Sequence, residues 1–219
     1  MSQKSALIIY GGWQGHHPKS IAETFHAALE ARGLTVRSEA SLEVLDDKAL
    51  LESLDLICPC WTAGTLTGDQ SKNLRDAVHQ GTGLGGFHGG MGDAFRGDLE
   101  YEWMVGGHFV SHPHVGDYAI RLTDQHHVIT EGFPDHLLYN SEQYYMLTDP
   151  ANQVLIDSVY TYEGKRCLMP IVWTKSWGKG RVFYSALGHD PSEFTNYPVV
   201  KEMTVRGLLW AAGALTADH

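Results

Sequence analysis

The sequence predicts an α/β fold with a mainly parallel central sheet, and three observations carry that reading. Apolar runs alternate with helix-spaced segments through the first half of the chain, as right-handed crossovers between parallel strands require. The runs are continuous rather than alternating, as in strands buried on both faces. The fourth run, Gly83–Phe87, leads into a glycine-dense turn with His88 at its apex, the setting in which a side chain is lifted into a cleft at the carboxyl end of a sheet.

Taken in order, Ala6–Tyr10 is the first strand, broken by Gly11 and Gly12. A helix begins near Pro18, where proline suits the first turn, and Gly33 closes it. Its Ile21, Phe25, Ala28 and Leu29 repeat at helical spacing. Leu34–Val36 is the second strand, Asp47–Ser53 a short helix and Asp55–Cys58 the third strand. Asp69–Gln80 is a helix with Leu74, Ala77 and Val78 inward, and Thr82–Phe87 is the fourth strand. The second half is less regular. Tyr118–Leu122, Gln153–Ile156, Met169–Trp173 and Arg181–Ser185 read as strands, and Trp177–Gly180 joins the last two as a hairpin. Val199–Ala212 is a closing helix. With no repeat or linker, residues 1–219 read as one domain.

Composition narrows the function classes. The formal net charge of -10 argues against nucleic acid and against an anionic membrane surface as partners. No apolar run approaches a membrane span, and the residues before Ala6 carry no signal-peptide pattern. Three cysteines, Cys58, Cys60 and Cys167, make no disulfide framework, which fits a reducing cytoplasm. The aromatic content is compatible with a homo-oligomer, without specifying one.

The chain holds 13 histidines, many of them in loops at the predicted strand ends. Imidazole serves both acid–base work near neutral pH and borderline metals such as zinc. Loops carrying Trp13 to His17, Trp61, His88 and His189 fall at the carboxyl ends of strands, where open sheets bind ligands. His108 and His112 have the spacing of a helical ligand pair, but Gly106, Gly107 and Pro113 speak against a helix there. Glu142, beside Tyr144 and Tyr145, can orient a histidine or act as a base; an ordinary strand glutamate beside core tyrosines explains it equally well. Asp190, ahead of Pro191, reads as the start of a helix. Trp103, Trp173 and Trp210 read as core. His26, His79, His114, His126, His136 and His219 read as solvated or as filling local polar needs. Trp13, Trp61 and Tyr144 offer aromatic faces of the kind that line carbohydrate sites.

With these residues assembled, the chain resembles the ThuA-like (trehalose utilisation) family. The likeness rests on Gly86–Gly89, Val105–Pro113, Ser141–Tyr145, Met169–Trp173 and Gly178–His189, and it spans about Ala6 to Leu215. It implies a flavodoxin-like three-layer fold of the class I glutamine amidotransferase-like group. In amidotransferases the elbow carries a cysteine; here it carries His88, so glutamine hydrolysis through an acyl-thiol is not expected. Two positions depart from the family's pattern: Ser141 where an acidic residue is expected, and Val128 where a proline is. The family is associated with disaccharide catabolism through 3-keto sugars.

The leading expectation is a cytoplasmic enzyme acting on a small-molecule sugar, a glycoside or its 3-keto derivative. His88, Glu142 and His189 would be catalytic, and Trp13, His17, Trp61, His112 and Tyr144 would bind substrate. A non-catalytic sugar- or partner-binding module is a second reading. A zinc-dependent hydrolase is a third, with His17, His88, His112 and His189 as candidate ligands.

Overall fold

In the computed structural model, which describes residues 3–215, a nine-stranded sheet runs through the molecule in the order β2-β1-β3-β4-β9-β8-β7-β5-β6. The first half follows the predicted alternation. β1 (Ser5–Gly12), α1 (Pro18–Glu30), β2 (Thr35–Glu39), α2 (Lys48–Ser53), β3 (Leu56–Thr62), α3 (Gly68–Gln80) and β4 (Gly83–Phe87) appear in that order. The helix starts are set chemically: Asp47 caps α2, and Thr67 with Gln70 forms a reciprocal capping box on α3.

The sheet is mixed, which corrects the expectation of a mainly parallel one. Parallel pairing joins β1 to β2 and β3, β3 to β4, and β4 to β9 (Gly180–Ser185). Beyond β9 every pairing is antiparallel, through β8 (Lys165–Trp177), β7 (Gln153–Tyr162), β5 (Gly107–Leu122) and β6 (His136–Thr148). Between β4 and β5 lie α4 (His88–Gly92) and α5 (Leu99–Val105), and the chain ends in α6 (Pro191–Asn196) and α7 (Pro198–Ala211).

Helices cover both faces of the parallel half. A Cβ on Gly85 would meet Leu208 of α7, whereas one on the next residue, Gly86, would meet Met91 of α4. Successive strand residues point to opposite faces, so α7 and α4 flank the sheet from opposite sides. Trp173 is fully buried, as expected, and Trp210 is partly buried. Trp103 is a correction: on the short α5 it is 60% exposed, its indole N–H donating to Asp149 at 3.1 Å. His219 lies outside the described residues. No helix among the described residues is long and apolar enough to cross a membrane.

Candidate functional site

The turn after β4 is an elbow. His88 begins α4 directly from the extended Phe87 and has φ +47, in the left-handed region that a non-glycine residue enters only when its surroundings hold it there. The Nδ1–H of His88 donates to the Ala186 carbonyl at 3.0 Å. A carbonyl can only accept, so this bond fixes the tautomer of the neutral ring and leaves its Nε2 lone pair bare and facing inward.

Three other elements aim at that nitrogen. The loop after β9 brings His189 Nδ1 to 3.3 Å from His88 Nε2. Glu142, on β6, places Oε2 at 3.3 Å from His88 Nε2 and 3.5 Å from His189 Nδ1. The loop after β1 contributes His16, whose Nδ1 is 2.7 Å from Thr62 Oγ1 and whose ring packs edge-on against both His88 and His189. One ligand atom from each of His16, His88, Glu142 and His189 falls within 4.8 Å of the others, so the cluster could hold a metal ion.

β6 is the far edge strand, yet its Glu142 reaches a residue at the end of β4. Irregular pairing between β5 and β6, with register shifts from Phe109 to Ser111 and from Ser111 to His114, accompanies the approach of β5 to α4. Tyr144 then stacks on His88 with ring centroids 4.1 Å apart, and Phe109 packs on Tyr144 at 4.5 Å.

The electrostatics follow from this packing. Burial, reinforced by the neighbouring His88 and His189, pushes the His16 imidazole down to about 3, so it is neutral at physiological pH. Burial alone would raise the Glu142 carboxyl, but the hydrogen bond from His189 and the interaction with the protonated form of His88 outweigh it and hold the group well below the usual carboxylate range. The hydrogen bond to Glu142 raises His189, against the opposing effect of its own burial. Burial raises the Tyr144 phenol.

The structure brings together His88, Glu142 and His189 from the expected site. His112 stands at its mouth, half-exposed, with Nε2 3.6 Å from Glu142 Oε1. His17 is displaced from the expected ligand set. It has φ +48 at the start of α1, and its ring points instead to Asp190 Oδ2 at 3.4 Å. Its neighbour His16 takes the inward place, which the sequence analysis did not assign. Doublet spacing shows that one of two adjacent histidines can face the cleft but not which; the buried Thr62 hydroxyl, hydrogen-bonded to His16 Nδ1 at 2.7 Å, holds His16 there. Trp13 lies over His16, with ring centroids 4.6 Å apart. Trp61 is held between Gly11 and Gly64, where a Cβ on Gly11 would fall 2.4 Å from its ring, on the opposite strand face from Thr62. Tyr144 is buried beneath the cluster as a support for His88.

Gly89 leaves the space that His16 occupies. A Cβ there would sit 2.4 Å from His16 Cε1 and 2.7 Å from its Nδ1. Gly89→Ala is therefore expected to displace the His16 ring and, if the cluster holds a metal ion, to lower its affinity about tenfold or more while all four side chains remain. Chelator competition checks this; unchanged affinity would exclude His16 from the ligand set.

Residues 5–211 match the sequence profile of a family described as ThuA, trehalose utilisation. Two ThuA-like proteins of known structure share the fold. One, from Parabacteroides merdae, has a TM-score of 0.77 at 18% identity, covering 100% of this chain and 93% of that one. The other, from Bacteroides uniformis, has a TM-score of 0.75 at 18% identity, covering 94% and 91%. A protein of Salmonella typhimurium LT2 described as cytoplasmic has a TM-score of 0.64 at 14% identity, covering 96% and 98%. No curated protein sequence matches significantly.

Proposed function

We propose, from the premise that the chain belongs to the ThuA (trehalose utilisation) family, that it is a cytoplasmic enzyme of sugar catabolism. Its substrate would be a glycoside or its 3-keto derivative, processed at a zinc centre formed by His16, His88, Glu142 and His189. The observation that carries this reading is the triangle of His88 Nε2, His189 Nδ1 and Glu142 Oε2, with edges of 3.3, 3.3 and 3.5 Å. Ligand atoms about 2.0–2.1 Å from a tetrahedral zinc ion stand roughly 3.4 Å apart. The donor set fits as well. His88 is oriented from outside by the Ala186 carbonyl and His16 by Thr62, the second-shell arrangement that directs a metal-binding imidazole. Three imidazoles and one carboxylate suit zinc better than calcium or magnesium.

When bound, zinc would supply Lewis acidity toward a sugar oxygen. The chain's own residues supply the rest. With His88 and His189 engaged as ligands, His112 is the titratable group left at the mouth, near enough to Glu142 to reach a ligand seated on the cluster. In a 3-keto-glycoside the C2 proton is acidified by the adjacent ketone. Its transfer to His112 would let the C–H electron pair form the C1–C2 double bond as the glycosidic oxygen departs with its bonding pair and takes up a proton. Trp13, beside His16, would cover one face of the ring.

Turnover of a panel of 3-keto-glycosides, with and without chelator, tests the reading. Loss on chelation, recovery with zinc and a drop of roughly 100-fold or more in His112→Ala are expected. Turnover indifferent to chelation would remove the metal and return the acid–base role to His88, Glu142 and His189.

A further inference from the structure

The cluster opens sideways into a pocket of about 320 Å³ that shares Glu142 and His189 with it, at the small end of the range for ligand sites. The rest of its wall includes Val115, Asn140, Asp190, Ser192, Asn196 and Tyr197, none of which the sequence analysis assigned to binding. We propose that this pocket is the subsite for one uncharged, hydroxyl-rich ring and that it discriminates against phosphorylated ligands. The proposal rests on the sugar-directed reading above and adds to it the charge class of the substrate.

Position comes first. Any ring seated in the pocket borders Glu142 and His189, so one of its oxygens can reach the cluster without the ring displacing a ligand residue. Hydrogen-bond chemistry comes next. Sugar hydroxyls both donate and accept, and side-chain amides do the same from fixed positions. Asn140 gives its amide N–H to Asp117, and its side-chain carbonyl makes no hydrogen bond among the described residues, which leaves it available to a ligand hydroxyl. The Asn196 side chain makes no hydrogen bond among the described residues. Asp190 Oδ1 is held by the backbone N–H of Ser192 at 2.8 Å, so that carboxylate stands in a fixed place. Val115, 64% exposed, offers a small apolar wall for the C–H face of a ring.

Charge then selects. Glu142, Asp190 and Glu193 line the pocket, and no lysine or arginine does among the described residues. Phosphate recognition relies on arginine, lysine or a helix N-terminus to offset the anion. The short α6 begins at the pocket, but its first-turn N–H groups face the Asp190 cap, which already places a carboxylate there. At the Asp190 end of the pocket, away from the cluster and its proposed zinc, a phosphate dianion would stand against that carboxylate with no lysine or arginine lining that end and with the His17 ring already turned on Asp190 Oδ2 at 3.4 Å, whereas a neutral ring meets groups that can hydrogen-bond it.

The test titrates zinc-loaded wild type, Asn196→Ala and Asn196→Arg with a panel of unphosphorylated mono- and disaccharides and their 6-phosphates, read by calorimetry. Melting temperatures establish that the variants fold, as expected for an exposed position in the last turn of α6. Each neutral sugar that binds is expected to do so at least about tenfold more tightly than its 6-phosphate. Asn196→Ala should weaken the neutral sugar several-fold, and Asn196→Arg should narrow or reverse the preference by placing a cation in the pocket. A 6-phosphate that binds wild type as well as the neutral sugar, or a preference unmoved by Asn196→Arg, overturns the proposal and leaves the sugar reading standing. Failure of every sugar to bind overturns both.

Discussion

Untagged protein purified without chelator is expected to contain about one zinc ion per chain, and His88→Ala to contain essentially none. The cluster is poorly satisfied by protons alone. With neutral imidazoles, the inner atoms at His88 and Glu142 both present lone pairs, and His189 Nδ1 stands within 3.5 Å of each. One proton on His189 can face either acceptor but cannot bridge all three atoms. Protonating His88 as well would set two imidazolium rings 3.3 Å apart. A single cation at the centre answers all three lone pairs and lets His16 complete a fourth position. Elemental analysis of both proteins is the direct measurement. A second readout is thermal: at free zinc a thousandfold above Kd, binding adds about 4 kcal/mol to the native state. For a chain of this length that corresponds to roughly 10 °C in melting temperature, lost in His88→Ala. Metal-free wild type with an unshifted melting temperature on zinc addition would sink the metal centre. It would leave Glu142 as a carboxylate ion-paired between two histidines.

The first half of the fold was legible because its signals are local. Continuous apolar runs gave β1, β3 and β4, helix-spaced apolar residues gave α1 and α3, and the glycines around His88 gave the elbow. The second half was legible in part: its apolar runs gave portions of β5, β7, β8 and β9, the Trp177–Gly180 hairpin and the closing α7, but not β6, and β6 shows why. Its centre, Asn140–Gln143, is polar, because Ser141 and Gln143 bury their side chains on partners and Glu142 reaches the cluster. Function has overwritten the alternation by which a strand is recognised. Apart from the Trp177–Gly180 hairpin, the antiparallel pairings escaped notice because the apolar runs mark only the centres of longer strands, which leaves the two-residue β7–β8 turn at Glu163 and Gly164 outside both. α5 is too short for its pattern to emerge, so Trp103 was read as core when it is largely exposed. At the site, residue type and loop position identified His88, Glu142 and His189. The choice of His16 over His17 depended on backbone conformation, and the pocket residues Asn140 and Asn196 carry no sequence signal apart from being near Glu142 and His189.

Glu193→Ala is expected to cost about 2–6 kcal/mol of stability and to weaken zinc binding, although Glu193 is not among the four proposed ligand residues. Its buried carboxylate accepts from the Tyr139 hydroxyl, from Ser141 Oγ at 2.7 Å and from the backbone N–H of His189 at 3.1 Å. Tyr139 in turn accepts from the Gly188 N–H at 3.2 Å. A helix-capping role accounts for the bond to His189, since Glu193 lies in the first turn of α6. It does not account for the two bonds to β6. Those tie Ser141, next to Glu142, and the loop of His189 to one carboxylate, so two of the proposed ligands share one anchor. Truncation leaves two buried donors, Tyr139 and Ser141, and the part-buried His189 N–H without a protein acceptor, the buried ones costing about 1–3 kcal/mol each. Ser141→Ala removes one donor together with its bond to a carboxylate and should cost about 1.5–3 kcal/mol. Glu193→Gln keeps the volume but replaces one acceptor oxygen with a donor, which faces donors already in place. It should lower zinc affinity about 10- to 100-fold with a smaller loss of stability than Glu193→Ala. Urea unfolding and chelator competition separate the two effects. If Glu193→Gln lowers stability but binds zinc like wild type, Glu193 serves only the fold; if its affinity falls further than its stability does, the carboxylate sets the position of Glu142 and His189.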